Sequence, residues 1–441
     1  MPKASLLTFI ELNEVNFDYV RFYIAKGRLP ALAQLLRRHG VAETRSEQLY
    51  EHIEPWIQWV TAHTGRTYAE HGVFRLGDIV HHEIPQIWEM LEKAGIKVGA
   101  VSPMNGKHRV RDPAFFVPDP WTPTEISARP SLVALYRALA QVVNDNAQGR
   151  VTLQSLLRFA YGFLAYARTR NYGRYLRLLA RARSSPWCKA LFLDLLLADV
   201  FISEVRRTRP GFATLFLNGA AHIQHHYMFC SAAYAGPQRN PDWYVDRTAD
   251  PILDAYSLYD DIIGDVQRTF PAARVMLATG LHQDPHEQLT YYWRLKDHAG
   301  FLRSAAIEFT RVEPRMSRDF VVVCSDTAAA DRAAATLRTA VAADGTPLFE
   351  IDNRGSDLFV MLTYPHEIRS GLGFTIGGRS HPDLYPLVAF VALKNGEHNG
   401  TGYFLDTGAA QGSMPAEFPL ADMPRRVMEA LNVDAAARHT A

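Results

Sequence analysis

The chain has 441 residues, of which 48% are hydrophobic and 21% charged, so it is long enough for two or three domains or one large α/β core with insertions. This composition is typical of a globular protein and excludes disordered, collagen-like and coiled-coil chains. The 47 basic and 46 acidic residues give a formal net charge of +1, which excludes a chain built as a whole to coat nucleic acid.

The cysteines and the N-terminal sequence indicate a reducing compartment. Cys188, Cys230 and Cys324 are too few and too scattered for a disulfide framework, and none lies in a CxxC pair. The apolar run at residues 6–10 is too short for a signal peptide, and no stretch reaches the ~18 uninterrupted apolar residues of a membrane span. We therefore expect a cytoplasmic location, with peripheral membrane contact as an open alternative.

Strand-like and helix-like stretches alternate along the chain. Residues 6–10 predict a strand buried on both faces, and residues 17–36 carry apolar side chains at helical spacing. Further strands are predicted at 96–101, 214–217 and 275–279, each after a helical stretch. This alternation predicts a three-layer α/β core with a mainly parallel sheet covered on both faces.

Two insertions interrupt this pattern. Residues 126–200 read as nearly all helix, and residues 151–193 within them carry eight basic side chains and no acidic one. Residues 318–365 have a strand–helix–strand–strand pattern that predicts a small α/β lobe. We therefore predict a core in three parts, interrupted by a basic helical cap and a small lobe: residues 1–125, 201–317 and 366–441.

Histidines cluster where predicted strands end. Three groups follow apolar runs: His222, His225 and His226 after 214–217, His282 and His286 after 275–279, and His398 after 387–393. Imidazole is the commonest metal ligand and the side chain best suited to proton transfer near neutral pH. Ligands of open α/β sheets bind at the carboxyl ends of the strands, so the set predicts a metal or acid–base site there. The alternative is that single histidines merely cap helices or pack.

Several segments in order along nearly the whole chain form one recognisable pattern. They are residues 12–18 (LNEVNFD), 27–32 (GRLPAL), 59–66 (WVTAHTGR), 70–73 (EHGV), 218–222 (NGAAH), 278–282 (ATGLH), 397–403 (EHNGTGY) and 419–431. In this order they resemble the alkaline phosphatase superfamily, and specifically its phosphodiesterase and nucleotide pyrophosphatase-like branch. That branch has L-D-G-x-x-F-D, G-R-L-P-N-L, D-x-x-x-H and T-S-D-H-G at the corresponding places. The resemblance implies an alkaline-phosphatase-like core and divalent metal ions.

The departures from the family pattern fall on residues that carry its chemistry. Asn13 or Glu14 stands where the first metal-binding aspartate is expected, and Asn218 replaces the second. Gly-Leu at 280–281 takes the place of the third aspartate with its histidine. Pro55 occupies the position of the nucleophile, and proline cannot attack phosphorus.

The resemblance nevertheless implies an atypical metal site. Its expected members are Asn13, Glu14, Asn218, His222 and His398, of which the two histidines match the family unchanged. Neutral ligands do not offset the charge of two neighbouring cations, so we expect one divalent ion, Zn or Mn, rather than two.

Two residues are candidates for direct catalysis. Glu54 lies at the predicted cap of the helix that begins at Pro55, where a carboxylate could be a metal ligand, a general base or a nucleophile. Its structural alternative is helix capping alone. His282 is one residue out of register with the family's histidine and could substitute for it. Glu11 is a further carboxylate that could reach the same crevice.

The basic helical cap combines arginines with interleaved aromatic and leucine residues. Such amphipathic helices suit an anionic ligand, an anionic membrane surface or a protein partner, although a charge run is more often a solvated helix face. We expect Arg174 and Arg177 to bind an anionic small-molecule or glycan substrate beneath the cap. No nucleic-acid-binding motif accompanies the basic residues, so nucleic acid is not an expected partner.

Taken together, the sequence predicts a hydrolase or transferase acting on a phosphate or sulfate ester. A glycan or a lipid-linked glycan could carry that ester. The alternative is a catalytically inactive superfamily member that acts as a binding or scaffold protein in surface-polysaccharide assembly, because the nucleophile and three aspartates are missing. A metal-independent enzyme that uses Glu54 and the histidines as acid and base is a third possibility.

Overall fold

The computed structural model describes residues 6–47, 49–144, 152–315, 317–410 and 412–433. The strands are β1 (Leu7–Leu12), β2 (Ala42–Arg45), β3 (Val98–Val101), β4 (Phe115–Val117), β5 (Phe212–Leu217), β6 (Arg274–Ala278), β7 (His282–Leu295), β8 (Arg311–Pro314), β9 (Asp319–Val323), β10 (Val341–Ala342), β11 (Phe349–Asn353), β12 (Asp357–Leu362), β13 (Phe374–Ile376), β14 (Arg379–His381), β15 (Val388–Asn399), β16 (Thr401–Asp406) and β17 (Glu417–Pro419).

The helices of the described residues alternate with these strands. They are α1 (Phe17–Ala25), α2 (Pro30–His39), α3 (Pro55–Thr64), α4 (Tyr68–His71), α5 (Ile87–Lys93), α6 (Pro130–Asn144), α7 (Leu153–Tyr166), α8 (Tyr172–Arg181), α9 (Cys188–Thr208), α10 (Gly219–Tyr227), α11 (Pro251–Thr269), α12 (His298–Ser304), α13 (Thr327–Arg338) and α14 (Met423–Ala430). None of them is long and apolar enough to cross a membrane.

The first of two compact units contains an eight-stranded sheet. It comprises Met1–Ala235, Val245–Pro285 and Gly396–Ala441, and its strand order is β17-β2-β16-β6-β1-β5-β3-β4. Only β16 runs against the other seven strands, since it pairs antiparallel with both β2 and β6. The predicted α/β core with a mainly parallel sheet is therefore confirmed.

The central strands are apolar throughout because helices cover both faces of the sheet. Every residue of β1 and β5 is buried. On one face Trp59 of α3, Trp88 of α5 and Val427 of α14 pack with Phe9 and Phe216 of the sheet. On the other side α9, α10 and α11 pack together. Double burial of this kind is what a parallel sheet requires.

The register of β1, β5 and β6 determines where their polar extensions meet. Leu12 lies opposite Leu217, the last residue of β5, and Glu11 lies opposite Ala278, the last residue of β6. The three strands are parallel, so their following residues emerge at one edge of the sheet. The antiparallel β16 begins at that same edge, since its Phe404 lies opposite Ala278.

Glu11 does not extend to that edge. It points toward α3, where its Oε2 lies 3.0 Å from Nε2 of His63, and both side chains are fully buried. Thr214 Oγ1 donates to the other oxygen of Glu11. The interpretation of Glu11 as a crevice carboxylate is therefore wrong, because side chains alternate along a strand and Glu11 shares its face with Leu7 and Phe9.

The cap region consists of α6 to α9 in the described residues. Gly162 of α7 packs against Leu135 of α6 so closely that an added Cβ would lie 2.5 Å from the Leu135 side chain. Phe163 of α7 and Tyr175 of α8 both contact Phe192 of α9, with ring centroids 5.7 and 4.9 Å away. The predicted helical insertion thus packs on α9 through an aromatic cluster.

The second unit comprises Gly236–Tyr244 and His286–Asn395. Its main sheet is antiparallel, with strand order β11-β12-β9-β8, and α13 packs on it. The small lobe predicted at 318–365 lies within this unit, which is larger because α12 and strands after residue 365 share its core.

His71 is a buried histidine of α4 whose hydrogen bonds select the neutral form. The Val73 N–H donates to its Nδ1 over 3.0 Å, so Nε2 carries the proton and donates to Thr61 Oγ1 at 3.2 Å. Burial, together with the charge of His82, lowers the pKa of His71 to about 4.

We predict that His71 makes unfolding depend on pH. Below the ordinary histidine pKa of about 6.5 the unfolded chain binds a proton that the folded chain excludes, so stability falls as the pH falls toward 4. The effect is on the order of 2–3 kcal/mol over this window. Urea unfolding at several pH values should show this fall in the free energy of unfolding for the native chain but not for His71→Asn. The same dependence of the unfolding free energy on pH in both proteins contradicts the assignment.

Candidate metal centre

Three side chains from separate segments converge at the carboxyl edge of the central strands. Glu14 follows β1, His225 lies on α10 directly after β5, and His398 precedes β16. Glu14 Oε2 lies 3.2 Å from His398 Nε2 and 3.3 Å from His225 Nε2, and the two imidazole nitrogens are 3.2 Å apart. A search of the described residues for three or more His, Cys, Asp or Glu side chains whose ligand atoms all lie within 4.8 Å of one another finds this group.

These distances fit a divalent cation. Four ligands at Zn–N and Zn–O distances of about 2.0–2.1 Å form a tetrahedron with edges of about 3.3–3.4 Å. The three atoms of Glu14, His225 and His398 already form one face of such a tetrahedron. Two imidazoles and one carboxylate are also a common ligand set of catalytic zinc sites, which keep a fourth position open.

Glu14 has a left-handed backbone conformation, with φ at 61°. Three hydrogen bonds hold it: its N–H donates to Thr279 O, and its carbonyl accepts from the Gln283 N–H and from Gln224 Nε2. A non-glycine residue in this region is strained by roughly 1–2 kcal/mol. In the family pattern this is the glycine of L-D-G, so here a carboxylate occupies a position at which the backbone favours glycine.

Two neutral amides orient the carboxylate of Glu14. Asn13 Nδ2 donates to Oε1 over 2.8 Å, and Gln283 Nε2 donates to Oε2. Burial by itself raises the pKa of Glu14, but the charge of His398 and hydrogen bonds from His225 and His398 lower that pKa well below its usual range. Glu14 therefore remains a carboxylate although its side chain is only 2% exposed.

Glu54 lies behind His398. Its Oε2 is 3.5 Å from Nδ1 of His398, whereas Nε2 of the same ring faces Glu14 and His225. A carboxylate on the far nitrogen fixes the tautomer and orientation of a metal-binding histidine. Glu54 is the N-cap residue of α3 but makes no side-chain capping hydrogen bond, so its carboxylate is directed to the site rather than to the helix end.

The α10 helix is anchored by a buried carboxylate. Asp194 of α9 accepts hydrogen bonds from the Gly219 N–H and the Tyr259 hydroxyl, at 2.8 and 2.7 Å. Burial raises the pKa of Asp194 to about 6, while the hydrogen bonds from these groups oppose the rise. An added Cβ at Gly219 would lie 2.5 Å from the Asp194 carboxylate, which explains the glycine.

The histidine that α10 contributes to the cluster is His225, not His222. The two rings are one turn apart on the helix, and His222 instead packs edge to face on His226, 4.9 Å away. Solvent reaches His222 although protein surrounds it on most sides, as expected of a residue lining a crevice. Desolvation and the nearby charge of His225 lower its pKa. The predicted pairing of His222 with His398 is thus corrected to His225 with His398.

Asn13 and Asn218 support the site through amide contacts. Asn13 Nδ2 donates to Asn218 Oδ1 at 2.8 Å, and Trp59 Nε1 donates to Asn13 Oδ1 at 2.7 Å. The Asn13 oxygen is thus engaged by an indole, and the Asn218 oxygen by the Asn13 amide. Both amide oxygens accept from protein donors, so the prediction that Asn13 and Asn218 are metal ligands stays a prediction.

His282 lies beside the cluster in a separate hydrogen-bonded network. Its Nδ1 is 2.6 Å from Thr401 O and its Nε2 is 3.2 Å from Asp284 Oδ1. Both ring nitrogens therefore face oxygen acceptors. This arrangement ties the start of β16 to the strand after β6, and a catalytic role for His282 stays a prediction.

Arg174 and Arg177 do not face this crevice. Arg174 pairs with Asp261 at 2.8 Å and with Asp265 at 3.6 Å, near the end of α11 and therefore toward the amino edge of the sheet. Arg177 donates to the Gly173 carbonyl, and both arginines line a cavity of about 160 Å³ against α11. The two arginines expected to bind a substrate at the crevice beneath the cap lie instead against α11, because carboxylates of that helix attract Arg174.

Sequence reasoning missed His225 and Gln283 as members of the site. His225 stood in the histidine cluster, but the family spacing favoured His222. In a helix His222 and His225 lie on neighbouring turns, so the rotation of α10 about its axis determines which of them reaches the cluster. Gln283 gave no sequence signal, since a single glutamine after a strand carries no characteristic pattern.

No protein-family profile matches the chain, and no curated protein matches it. Among solved structures, phosphonoacetate hydrolase from Sinorhizobium meliloti 1021 in complex with phosphonoacetate is 14% identical, covers 97% of this chain and 96% of its own, and has a TM-score of 0.46. An inactive murine ectonucleotide pyrophosphatase / phosphodiesterase 5 in complex with AMP is 10% identical, with coverages of 98% and 96% and a TM-score of 0.45.

A third match is a TAB5 alkaline phosphatase mutant with Mg bound, 9% identical, with coverages of 97% and 98% and a TM-score of 0.40.

We predict that the chain binds one equivalent of Zn²⁺ at this cluster. Glu14→Gln and His225→Ala should each weaken binding on the order of 10²-fold or more, since each removes a ligand. His222→Ala is the matched control on the same helix and should bind within a few-fold of the native chain. Competition with a chromogenic chelator measures the affinities. If His222→Ala is impaired and His225→Ala is not, the assignment of the ligands is wrong.

A second prediction concerns the strain at Glu14. In metal-free protein, Glu14→Gly should be more stable than Glu14→Ala by on the order of 1 kcal/mol, because glycine accepts positive φ without strain. Both variants lack the carboxylate, so the difference between their free energies of unfolding reports the backbone strain at this position. Equal free energies of unfolding in urea would show that the turn relaxes.

Proposed function

We propose that this protein hydrolyses a phosphate or sulfate ester at the Glu14–His225–His398 cluster, with a single divalent cation. The observation that carries the proposal is the triangle of three ligand atoms at 3.2–3.3 Å at the carboxyl edge of β1 and β5. The sequence resemblance to the alkaline phosphatase superfamily supports the ester class. The side chain of His225 is 32% exposed, so a substrate can reach the cluster from solvent.

The residues present suit the metal by donor type and spacing. A divalent cation held by Glu14, His225 and His398 would polarise a phosphoryl or sulfuryl oxygen and lower the pKa of a water molecule. One cation suits the charge of the site better than two, because Glu14 is the one carboxylate in the triangle.

The protein's own part is preorganisation of the cluster. Asn13 and Gln283 hold both oxygens of the Glu14 carboxylate, and Gln224 holds its carbonyl. A carboxylate 3.5 Å from Nδ1 of His398 would favour the tautomer with its proton on that nitrogen, which would leave Nε2 free to bind a cation. A site fixed in this way does not have to reorganise when substrate binds.

Water is the expected nucleophile. The residue at the family's nucleophile position is Pro55, the first residue of α3, which has no hydroxyl or thiol. Attack by water in a single displacement forms one bond from the water oxygen to phosphorus or sulfur and breaks the ester P–O or S–O bond. The water gives up one proton and the leaving alkoxide takes one up, so the step balances. No covalent phosphoenzyme forms. A sugar hydroxyl in place of water would make the same chemistry a transfer.

The finer substrate class stays a proposal. A glycan or lipid-linked glycan phosphate would fit the prediction from sequence, and such an ester is anionic. The second candidate is a binding protein without turnover, and the observation that favours it is Pro55 itself, since the covalent route of the superfamily is closed.

We predict that Glu54 acts by positioning His398. Glu54→Gln should weaken metal affinity by about 10–100-fold and lower kcat/KM at limiting metal by a similar factor, with little change in Tm. Saturating metal should then restore much of the rate. A panel of phosphomonoester, phosphodiester and sulfate ester substrates identifies the activity, and Glu51→Gln, on an exposed neighbouring residue, is the control.

The stereochemistry at phosphorus tests the route. A chiral phosphorothioate diester should react with inversion if water attacks directly, and retention would show a covalent intermediate. A protein that binds one metal equivalent but turns over no ester in the panel is the outcome expected of the binding-protein candidate. If Glu54→Gln remains slow at saturating metal, Glu54 acts as a base rather than by positioning.

A further inference from the structure

The outer surfaces of α7 and α8 are apolar. Eight of the fourteen large hydrophobic side chains that are exposed in the described residues lie between residues 153 and 179. They are Leu153, Leu156, Leu157, Tyr161, Leu164, Tyr172, Leu176 and Leu179. We name these eight residues the leucine surface. Large exposed apolar patches on a soluble chain mark sites of interaction.

The leucine surface follows the helical period on both helices. On α7 the exposed large hydrophobic residues recur at 153, 156–157, 161 and 164, and on α8 at 172, 176 and 179. This is one stripe on each helix. Leu153 and Leu164 are 73% exposed and Leu176 is 67% exposed, so no described part of the chain covers them.

Both stripes face away from the protein. Phe159 and Phe163 of α7 and Tyr175 of α8 form the inner sides of the two helices, and all three contact Phe192 of α9 at 4.9–6.3 Å between ring centroids. Because the inner sides meet at one ring, the opposite sides are both turned to solvent. The leucine surface is therefore presented outward by a rigid aromatic base.

The basic residues of this region fall into two groups, one paired with carboxylates beneath α7 and α8 and one without an acidic partner among the described residues. Arg168, Arg170, Arg174 and Arg181 pair with carboxylates of the helices beneath, chiefly Asp265, Asp261 and Asp254. Four further cations have no acidic partner among the described residues: Arg158, Arg177, Arg183 and Lys189. Residues 151–193 contain no Asp or Glu. The leucine surface is thus bordered by positive charge only.

We propose that the leucine surface docks in the plane of an anionic phospholipid bilayer. Leucines on one side of a helix with arginines and lysines alongside are the pattern of helices that lie in the membrane interface. Tyrosines at the margins suit the headgroup level. A second copy fits less well, since a two-fold contact would bring the same unpartnered cations together. The proposal does not depend on the chemistry at Glu14.

Vesicle binding tests the proposal on the full-length chain. The native chain should co-float with phosphatidylcholine vesicles containing 30% phosphatidylserine and bind pure phosphatidylcholine vesicles at least tenfold more weakly. The double variant Leu157→Gln with Leu164→Gln should reduce the partition coefficient at least tenfold. Leu387→Gln, an exposed leucine of the second unit, is the matched control and should bind as the native chain does.

The charges are tested separately. Arg158→Gln and Arg183→Gln should each reduce binding to the anionic vesicles about fivefold and flatten its salt dependence. Circular dichroism checks that every variant is folded, as expected for exposed positions. Equal binding to both vesicle types, or native binding by the leucine variant, overturns the proposal. So does a concentration-dependent dimer that the leucine variant abolishes while vesicles bind neither protein.

Discussion

The interaction on which the site depends is the contact of one buried carboxylate with two imidazoles. Glu14 is nearly excluded from solvent, and a carboxylate in that position is costly unless it is paired and hydrogen-bonded. His225 and His398 lower the pKa of this carboxylate through charge and hydrogen bonds, and Asn13 and Gln283 donate further hydrogen bonds to it. Separate segments must therefore end at one place, which the register of β1, β5 and β6 provides.

The candidate ligands lie near, but not at, the positions that the sequence resemblance to the superfamily predicts. The position of the first aspartate holds a neutral Asn13, and the carboxylate is found on the next residue, where the pattern has glycine. The histidine of α10 that joins the cluster is one turn beyond the expected one. Both differences leave the candidate ligands at the same edge of the sheet but change which of their atoms meet. The backbone strain at Glu14 accompanies the first difference, and strain held by surrounding hydrogen bonds is typical of functional positions.

The orientation of the cap helices is set by ion pairs with α11. The cap arginines pair with acidic residues of α11 that lie much later in the sequence, and so the cap leucines are left on the outside. In most amphipathic helices the polar side faces water and the apolar side faces the core. Here ion pairs and aromatic rings make the inner contact. This inversion accounts for both the absence of Arg174 from the crevice and the exposed leucine surface.

The sequence by itself determined the alternation of strands and helices, the parallel core, the helices of the cap region, the strand ends near which Glu14 and His398 lie, and the helix start at Glu54. These features depend on local periodicity and on residue order, which the sequence states directly. The second unit extends beyond its predicted bounds because α12 and later strands share its core, and a shared core is a long-range property.

Only the tertiary structure decided which side chains meet. The rotation of α10 selects His225 over His222, the pleat of β1 turns Glu11 toward His63, and the carboxylates of α11 draw Arg174 away from the crevice. Each choice depends on how an element is rotated about its axis or on a partner distant in the chain. Neither quantity is present in a local sequence pattern, because it is set by packing between elements.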